Sequence, residues 1–208
     1  MANFREYEVL IPISNIDQMS RALKNQGGKI VKQVTQVDVY YDFLPLKLSK
    51  KDELLRLRSE YKQGTHEFLR GEFSWKSGRR GTIEKYEVRD DISVPLKKES
   101  NIKKIHNILS KLGINQLVNL EKTRDRWILN DLKHVMEFEF DKKIVASGLK
   151  RPKKIIGAFL QATIETSEEI SDLKVRKILW DVLYKLGFTI EDYDSRSYIE
   201  IYLDVKKH

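Results

Sequence analysis

The chain has 208 residues, of which 40% are hydrophobic and 34% charged, so it can bury a real core but must place an unusual number of charges. A formal charge of +8 and a pI of about 9.4 favour anionic partners such as phosphates, nucleotides, nucleic acid or an acidic membrane surface. The absence of cysteine excludes disulfides, thiolate metal sites and cysteine nucleophiles; with no apolar run of membrane-spanning length and no signal-peptide core, a cytoplasmic location and no membrane role are expected.

The first predicted element is a strand over 5–13, in which Glu6 and Glu8 alternate with Tyr7, Val9, Ile11 and Ile13. Neighbouring acids on one strand face repel, and either a divalent metal or a row of Arg and Lys could compensate them; an ordinary wet sheet face reads the same way. A helix capped by Asn15 follows, through Ile16, Met19 and Leu23 to Gly27-Gly28. The strand over 31–43 sets Gln36, Asp38, Tyr40 and Asp42 against Val37, Val39, Tyr41 and Phe43. Next come 53–61 with Arg56 and Arg58, 68–77 with Ser74 and Lys76, and 82–94 with Lys85, Glu87 and Arg89. A second helix follows Ser100-Asn101 and ends at Gly113. The strand over 117–129 lines up Lys122, Arg124 and Arg126, and the one over 134–145 lines up Glu137, Glu139 and Asp141. The basic segment from Gly148 to Gly157 reads as a mobile loop. A strand over 158–166 leads to a third helix, which follows Ser171 and ends at Gly187. A last strand over 195–204 sets Arg196, Tyr198 and Glu200 against Ile199, Ile201 and Leu203. The second and third helices end almost alike, in Ser-Lys-Leu-Gly and Tyr-Lys-Leu-Gly, which suggests a weak repeat of helix, glycine cap and strand.

One charged strand face is ordinary, but so many in one chain call for a common cause. The charged faces either meet solvent together or face one another across a closed barrel. Closure would gather cations and carboxylates around a wet interior, which is costly unless the charges pair or bind ions. A polyanion with a divalent metal satisfies both populations, and an all-oxygen donor set suits a hard cation. The four histidines have no ligand-like spacing, and Trp75, Trp127 and Trp180 lie among apolar positions, which points to packing.

These segments, taken in order, resemble the CYTH family, the triphosphate tunnel metalloenzymes. Glu6-Tyr7-Glu8-Val9-Leu10 stands where the family has Glu-x-Glu-x-Lys, with Leu10 in place of the lysine. Gln36 to Asp42 followed by Pro45, Leu55-Arg56-Leu57-Arg58, Lys76, Lys85-Tyr86-Glu87, Lys122-Thr123-Arg124 and the strand ending in Asp141 are similar to the family's successive strands. Thr163-Ile164-Glu165 stands at a second Glu-x-Glu, so only Glu165 carries over, and Ser197 to Glu200 is similar to the closing segment of the cyclase-like branch.

The resemblance implies one α+β domain over 1–208: an antiparallel eight-stranded tunnel-like β-barrel with a polar interior and helices packed outside. It implies Mg²⁺ or Mn²⁺ on Glu6, Glu8, Glu139, Asp141 and Glu165. It implies phosphate binding by Arg56, Arg58, Lys76, Lys85, Lys122, Arg124, Arg126 and Arg196, with Glu6, Glu8, Lys76 and Arg124 as the catalytic set. The partner is then a small molecule carrying a triphosphate; nucleic acid is disfavoured, and a homodimer is left open. The favoured activity is metal-dependent hydrolysis of an inorganic, nucleoside or thiamine triphosphate. The alternatives are a class IV-type adenylyl cyclase, which makes cyclic AMP and pyrophosphate from ATP, and a non-catalytic module that binds phosphorylated ligands or RNA.

Overall fold

The computed structural model describes residues 5–80, 86–129, 136–148, 150–166 and 171–204, and of Arg5, Glu6, Glu165 and Thr166 the backbone. Eight strands form a closed antiparallel barrel: β1 (Arg5–Pro12), β2 (Lys29–Phe43), β3 (Leu54–Lys62), β4 (Phe68–Lys76), β5 (Glu87–Leu96), β6 (Ile114–Leu129), β7 (Met136–Gly148) and β8 (Arg151–Thr166). Around the ring the order is β1-β5-β4-β3-β2-β6-β7-β8, and β8 pairs with β1 to close it.

Closure follows from the period-two pattern, because each strand offers one apolar and one charged face. The apolar faces point outward and are covered by helices. Helices α1 (Ile16–Asn25) and α3 (Asp172–Lys185) bring Met19, Leu23, Leu179, Trp180 and Leu183 onto Tyr7, Val9, Trp127, Phe138, Phe140 and Leu160. Helix α2 (Glu99–Lys111) lays Leu109 against Tyr41, Leu57 and Leu96. Fully burying a side chain of this size stabilises by about 1.5–3 kcal/mol. The Asn15 cap is as expected: its side chain accepts a hydrogen bond from Gln18 N at 3.0 Å.

Three expectations are corrected. Residues 195–204 do not form a strand; Tyr198–Tyr202 is a short helix, α4. Ser197 and Glu200 form a capping box that sets its start: Ser197 N donates to Glu200 Oε2 at 2.7 Å and Glu200 N donates to Ser197 Oγ at 3.3 Å. Nor does this helix lie outside the barrel. Tyr198 and Tyr202 pack with Leu10, Tyr40, Val118, Leu120 and Phe159, so α4 fills one end of the barrel's interior. Finally, the segment expected as a mobile loop from Gly148 to Gly157 is largely strand: β7 runs to Gly148, β8 begins at Arg151, and Gly148 pairs with Arg151. Gly148 sits at φ 131°, where a Cβ would fall 2.1 Å from Leu117 O, so no other residue fits. The suspected repeat holds only in its glycines. Gly113 and Gly187 both take positive φ, but Gly187 leads to a 3-10 turn over Ile190–Asp192 where Gly113 leads to a strand.

Candidate active site

The barrel encloses a cavity of about 330 Å³ whose wall is mostly charged. That volume lies at the low end of the range of about 300–1,000 Å³ for small-molecule sites. The alternation along each strand places its lining. Arg56 and Arg58 enter from β3, Lys76 from β4, Lys122 and Arg126 from β6, and Arg196 from the turn before α4. Glu8 and Leu10 enter from β1, Glu137 and Glu139 from β7, and Gln161 and Thr163 from β8.

Ion pairs hold this wall in shape. Asp38 accepts from Arg58 Nε at 2.7 Å and lies 3.2 Å from Lys122 Nζ. Burial opposes its ionisation, but Arg58, Lys122 and Arg56 hold its carboxyl well below the usual carboxylate range. Burial and the neighbouring Arg124 lower the pKa of Lys122, against the pull of Asp141 and Asp38. The Lys122 ammonium also sits 4.9 Å over the Tyr198 ring. Arg56 donates to Glu72 at 2.8 Å, and Lys76 lies 3.4 Å from Asp91. Arg196 grips Asp194 at 2.7 and 2.9 Å. Two residues after Arg58 on β3, buried Glu60 accepts from Lys32, from Arg70 at 2.8 and 3.0 Å and from Arg126 at 2.8 Å. Burial raises the pKa of Glu60, but these cations outweigh it and bring it to about 2.

Arg124 and Asp141 are placed differently from their neighbours: neither is part of the cavity lining. Fully buried Arg124 donates to Asp141 at 2.6 and 2.7 Å, to Glu139 and, at 3.2 Å, to Gln161. Asp141 also accepts from Tyr198 Oη at 2.8 Å, and Glu139 lies 2.9 Å from Arg126 Nε. The expected metal ligands Glu139 and Asp141 are thus both engaged by guanidinium groups. Lys85 lies outside the described residues, and of Glu6 and Glu165 only the backbone is described, with the two residues opposite each other in the β1–β8 register.

Several lining residues escaped the sequence reading. Arg70 and Glu72 share the β4 face of Ser74 and Lys76, so alternation alone could have found them. Tyr193 and Asp194 had no such signal, because they reach the cavity through the irregular approach to α4. Arg79 was missed as well. It donates to Ser195 O, to both Glu200 oxygens and to Asp52, at 2.7–2.8 Å, and so ties the last segment to the barrel wall. His106 bonds Tyr41 Oη at 2.9 Å on the outer side, away from the cavity, in keeping with a helix-surface role.

Leu10 points into the cavity and joins the apolar cluster around Tyr198, so an apolar side chain stands where the family motif has a lysine. Thr163 stands opposite Glu8 on β1 and opposite Glu137 on β7. Its hydroxyl faces this wall buried and without a hydrogen-bond partner. Among the described residues, no three His, Asp or Glu side chains converge as a metal group. The orphaned hydroxyl beside Glu8, in an all-oxygen setting, nevertheless fits a hard divalent cation.

The profile of the CYTH domain matches residues 5–198. The chain belongs to the CYTH family. A Methanocaldococcus jannaschii protein provisionally named an adenylate cyclase is 25% identical over 202 residues, covering 94% of this chain and 97% of the relative. The solved structure of the PH1819 protein from Pyrococcus horikoshii superposes with a TM-score of 0.72 at 20% identity, covering 97% and 99% of the two chains. A Hippeastrum protein provisionally named an adenylyl cyclase and described as having a dominant triphosphatase activity superposes with a TM-score of 0.59 at 12% identity, covering 98% and 97%. These structural likenesses establish the CYTH barrel fold. Membership in this family of tunnel metalloenzymes implies a divalent metal. No helix among the described residues is long and apolar enough to cross a membrane.

Proposed function

We propose that the barrel hydrolyses the terminal phosphate of a triphosphate in a Mg²⁺- or Mn²⁺-dependent reaction. The observation that carries this reading is the convergence of Arg56, Arg58, Lys76, Lys122, Arg126 and Arg196 on one cavity inside the barrel that also holds Glu8 and the unpartnered Thr163 hydroxyl. Arg56 and Arg58 would grip the phosphate chain in place of water, with Lys76 and Lys122 as point charges beside it. Because their carboxylate partners already hold most of these cations in place, little reorganisation accompanies the reaction, and their charge stabilises the charge that develops on the transferred phosphoryl group. Glu8, with Glu6 and Glu165 carried over from the family resemblance, would hold the cation, which when bound polarises phosphoryl oxygens and neutralises phosphate charge. Arg124 acts one step back in this scheme, fixing Glu139 and Asp141 and through them the wall that carries Lys122 and Arg126.

The name of the Methanocaldococcus jannaschii relative supports a second reading, cyclisation of ATP to cyclic AMP and pyrophosphate. Product analysis separates the two. The protein is incubated with ATP and Mg²⁺ or Mn²⁺ and the products are resolved by chromatography. Phosphate and ADP are expected. Cyclic AMP with pyrophosphate would install the cyclase reading, and the absence of any product from ATP and, in a parallel incubation, from tripolyphosphate would leave a binding module.

A further inference from the structure

Nearly every carboxylate on the cavity wall already has a cation. Glu72 holds Arg56, Glu87 accepts from Arg89 Nε at 2.6 Å, Asp91 faces Lys76, Asp194 holds Arg196, and Glu139 holds Arg124 and Arg126. Glu137 stands apart. It lines the cavity from β7, is exposed to solvent, and takes part in no hydrogen bond or ion pair among the described residues. Register places it directly opposite Thr163, which in turn lies opposite Glu8. Glu8, Thr163 and Glu137 therefore form one row across three adjacent strands. Thr163 is 9% exposed, and its unpartnered hydroxyl occupies the middle of that row.

We infer that Glu137 is a metal ligand of this chain, closing with Glu8 and the Thr163 hydroxyl on one divalent cation. The inference rests on the proposed reading of the cavity as a metal-dependent triphosphate site. Adjacent strands lie about 4.8 Å apart, so Glu8 and Glu137 flank Thr163 at a separation of about 10 Å. Two glutamate side chains reaching inward span that distance around an ion with oxygen bonds of about 2.0–2.6 Å. The hydroxyl alone is a weak donor, and the carboxylate that its position lacks is supplied one strand away by Glu137. A free carboxylate at a solvated mouth also needs no competing ion pair to break before it binds.

The test is titration of the apo protein with Mn²⁺, followed by electron paramagnetic resonance of the free ion, for the wild type, Glu137→Gln, Thr163→Val and the outward-facing control Glu121→Gln. Circular dichroism checks that each variant is folded, and calorimetry with metal-free tripolyphosphate checks the phosphate grip of the wild type. Loss of an outer-shell partner of a metal ligand typically weakens metal binding by about 10–100-fold, so Glu137→Gln should weaken Mn²⁺ binding by at least about tenfold. Thr163→Val should weaken it by a smaller factor, and Glu121→Gln should leave it unchanged. Wild-type affinity in Glu137→Gln, or no Mn²⁺ binding by the wild type, overturns the inference. Failure of the wild type to bind tripolyphosphate strikes the phosphate reading on its own.

Discussion

Arg124 and Lys76 both stood in the expected catalytic set, yet their surroundings differ. Arg124 is buried between Asp141 and Glu139, outside the cavity lining, whereas Lys76 lines the cavity, 3.4 Å from Asp91. Removing one member of a buried ion network strands its partners. Arg124→Ala should therefore destabilise the fold by about 3–5 kcal/mol, measured by urea unfolding. Glu60 makes the wall sensitive to acid. Its pKa is about 2 in the folded chain against an ordinary 4.5, so the unfolded state binds the extra proton within that window. The stability this contributes is complete above about pH 4.5 and disappears as the pH falls towards 2. Glu60→Gln should be less stable at pH 7, and its unfolding midpoint should fall less steeply than that of the wild type between pH 4.5 and 2. Alternation told which residues share a face, but not which of them are free. Lys122, Arg124 and Arg126 read alike along the strand, and only the carboxylates that β7 brings alongside show that Arg124 is locked.

Among the elements, α4 shows where a period-two pattern misleads. Tyr198, Glu200 and Tyr202 alternate with Ile199 and Ile201, as a strand would. The Ser-x-x-Glu capping box in the same segment specifies a helix, and it was legible in the sequence. One turn of helix places Tyr198 and Tyr202, four residues apart, on the same face towards the barrel interior. Ser197→Ala should cost about 1 kcal/mol through loss of the cap, read as a lowered thermal midpoint. The β7–β8 turn is the converse case. Its basic residues looked like a loop, but Gly148 lets the chain reverse almost at once. Gly148→Ala should destabilise by about 1–3 kcal/mol or more, since it combines positive φ with a direct clash on Leu117 O, and urea unfolding would show it. Eight of the nine expected strands, β8 only over its second half, and the three long helices were legible because their apolar faces repeat over several turns or residue pairs. The C-terminal approach to α4 was not, because Tyr193, Asp194 and Arg79 act through irregular backbone and long-range contacts.

At the scale of the molecule, closure of the barrel turns many weak charged faces into one site. The apolar halves of the strands are buried under α1, α2 and α3, and α4 fills one end, so the charged halves have only each other and the cavity. With a net charge of +8 behind it, such a cavity draws polyanions from a distance, and added salt should weaken that attraction. Tripolyphosphate affinity should therefore fall steadily as ionic strength rises. The most direct test of the whole account is the rate of phosphate release from tripolyphosphate with Mn²⁺, measured for the wild type and for Lys76→Ala. The expected result is steady release by the wild type and a loss of at least about tenfold in kcat/KM in the variant, about 1.4 kcal/mol of transition-state stabilisation, with unfolding curves that stay close together. No release by the wild type, or equal release by both proteins, would contradict the reading of this barrel as a triphosphate-hydrolysing site.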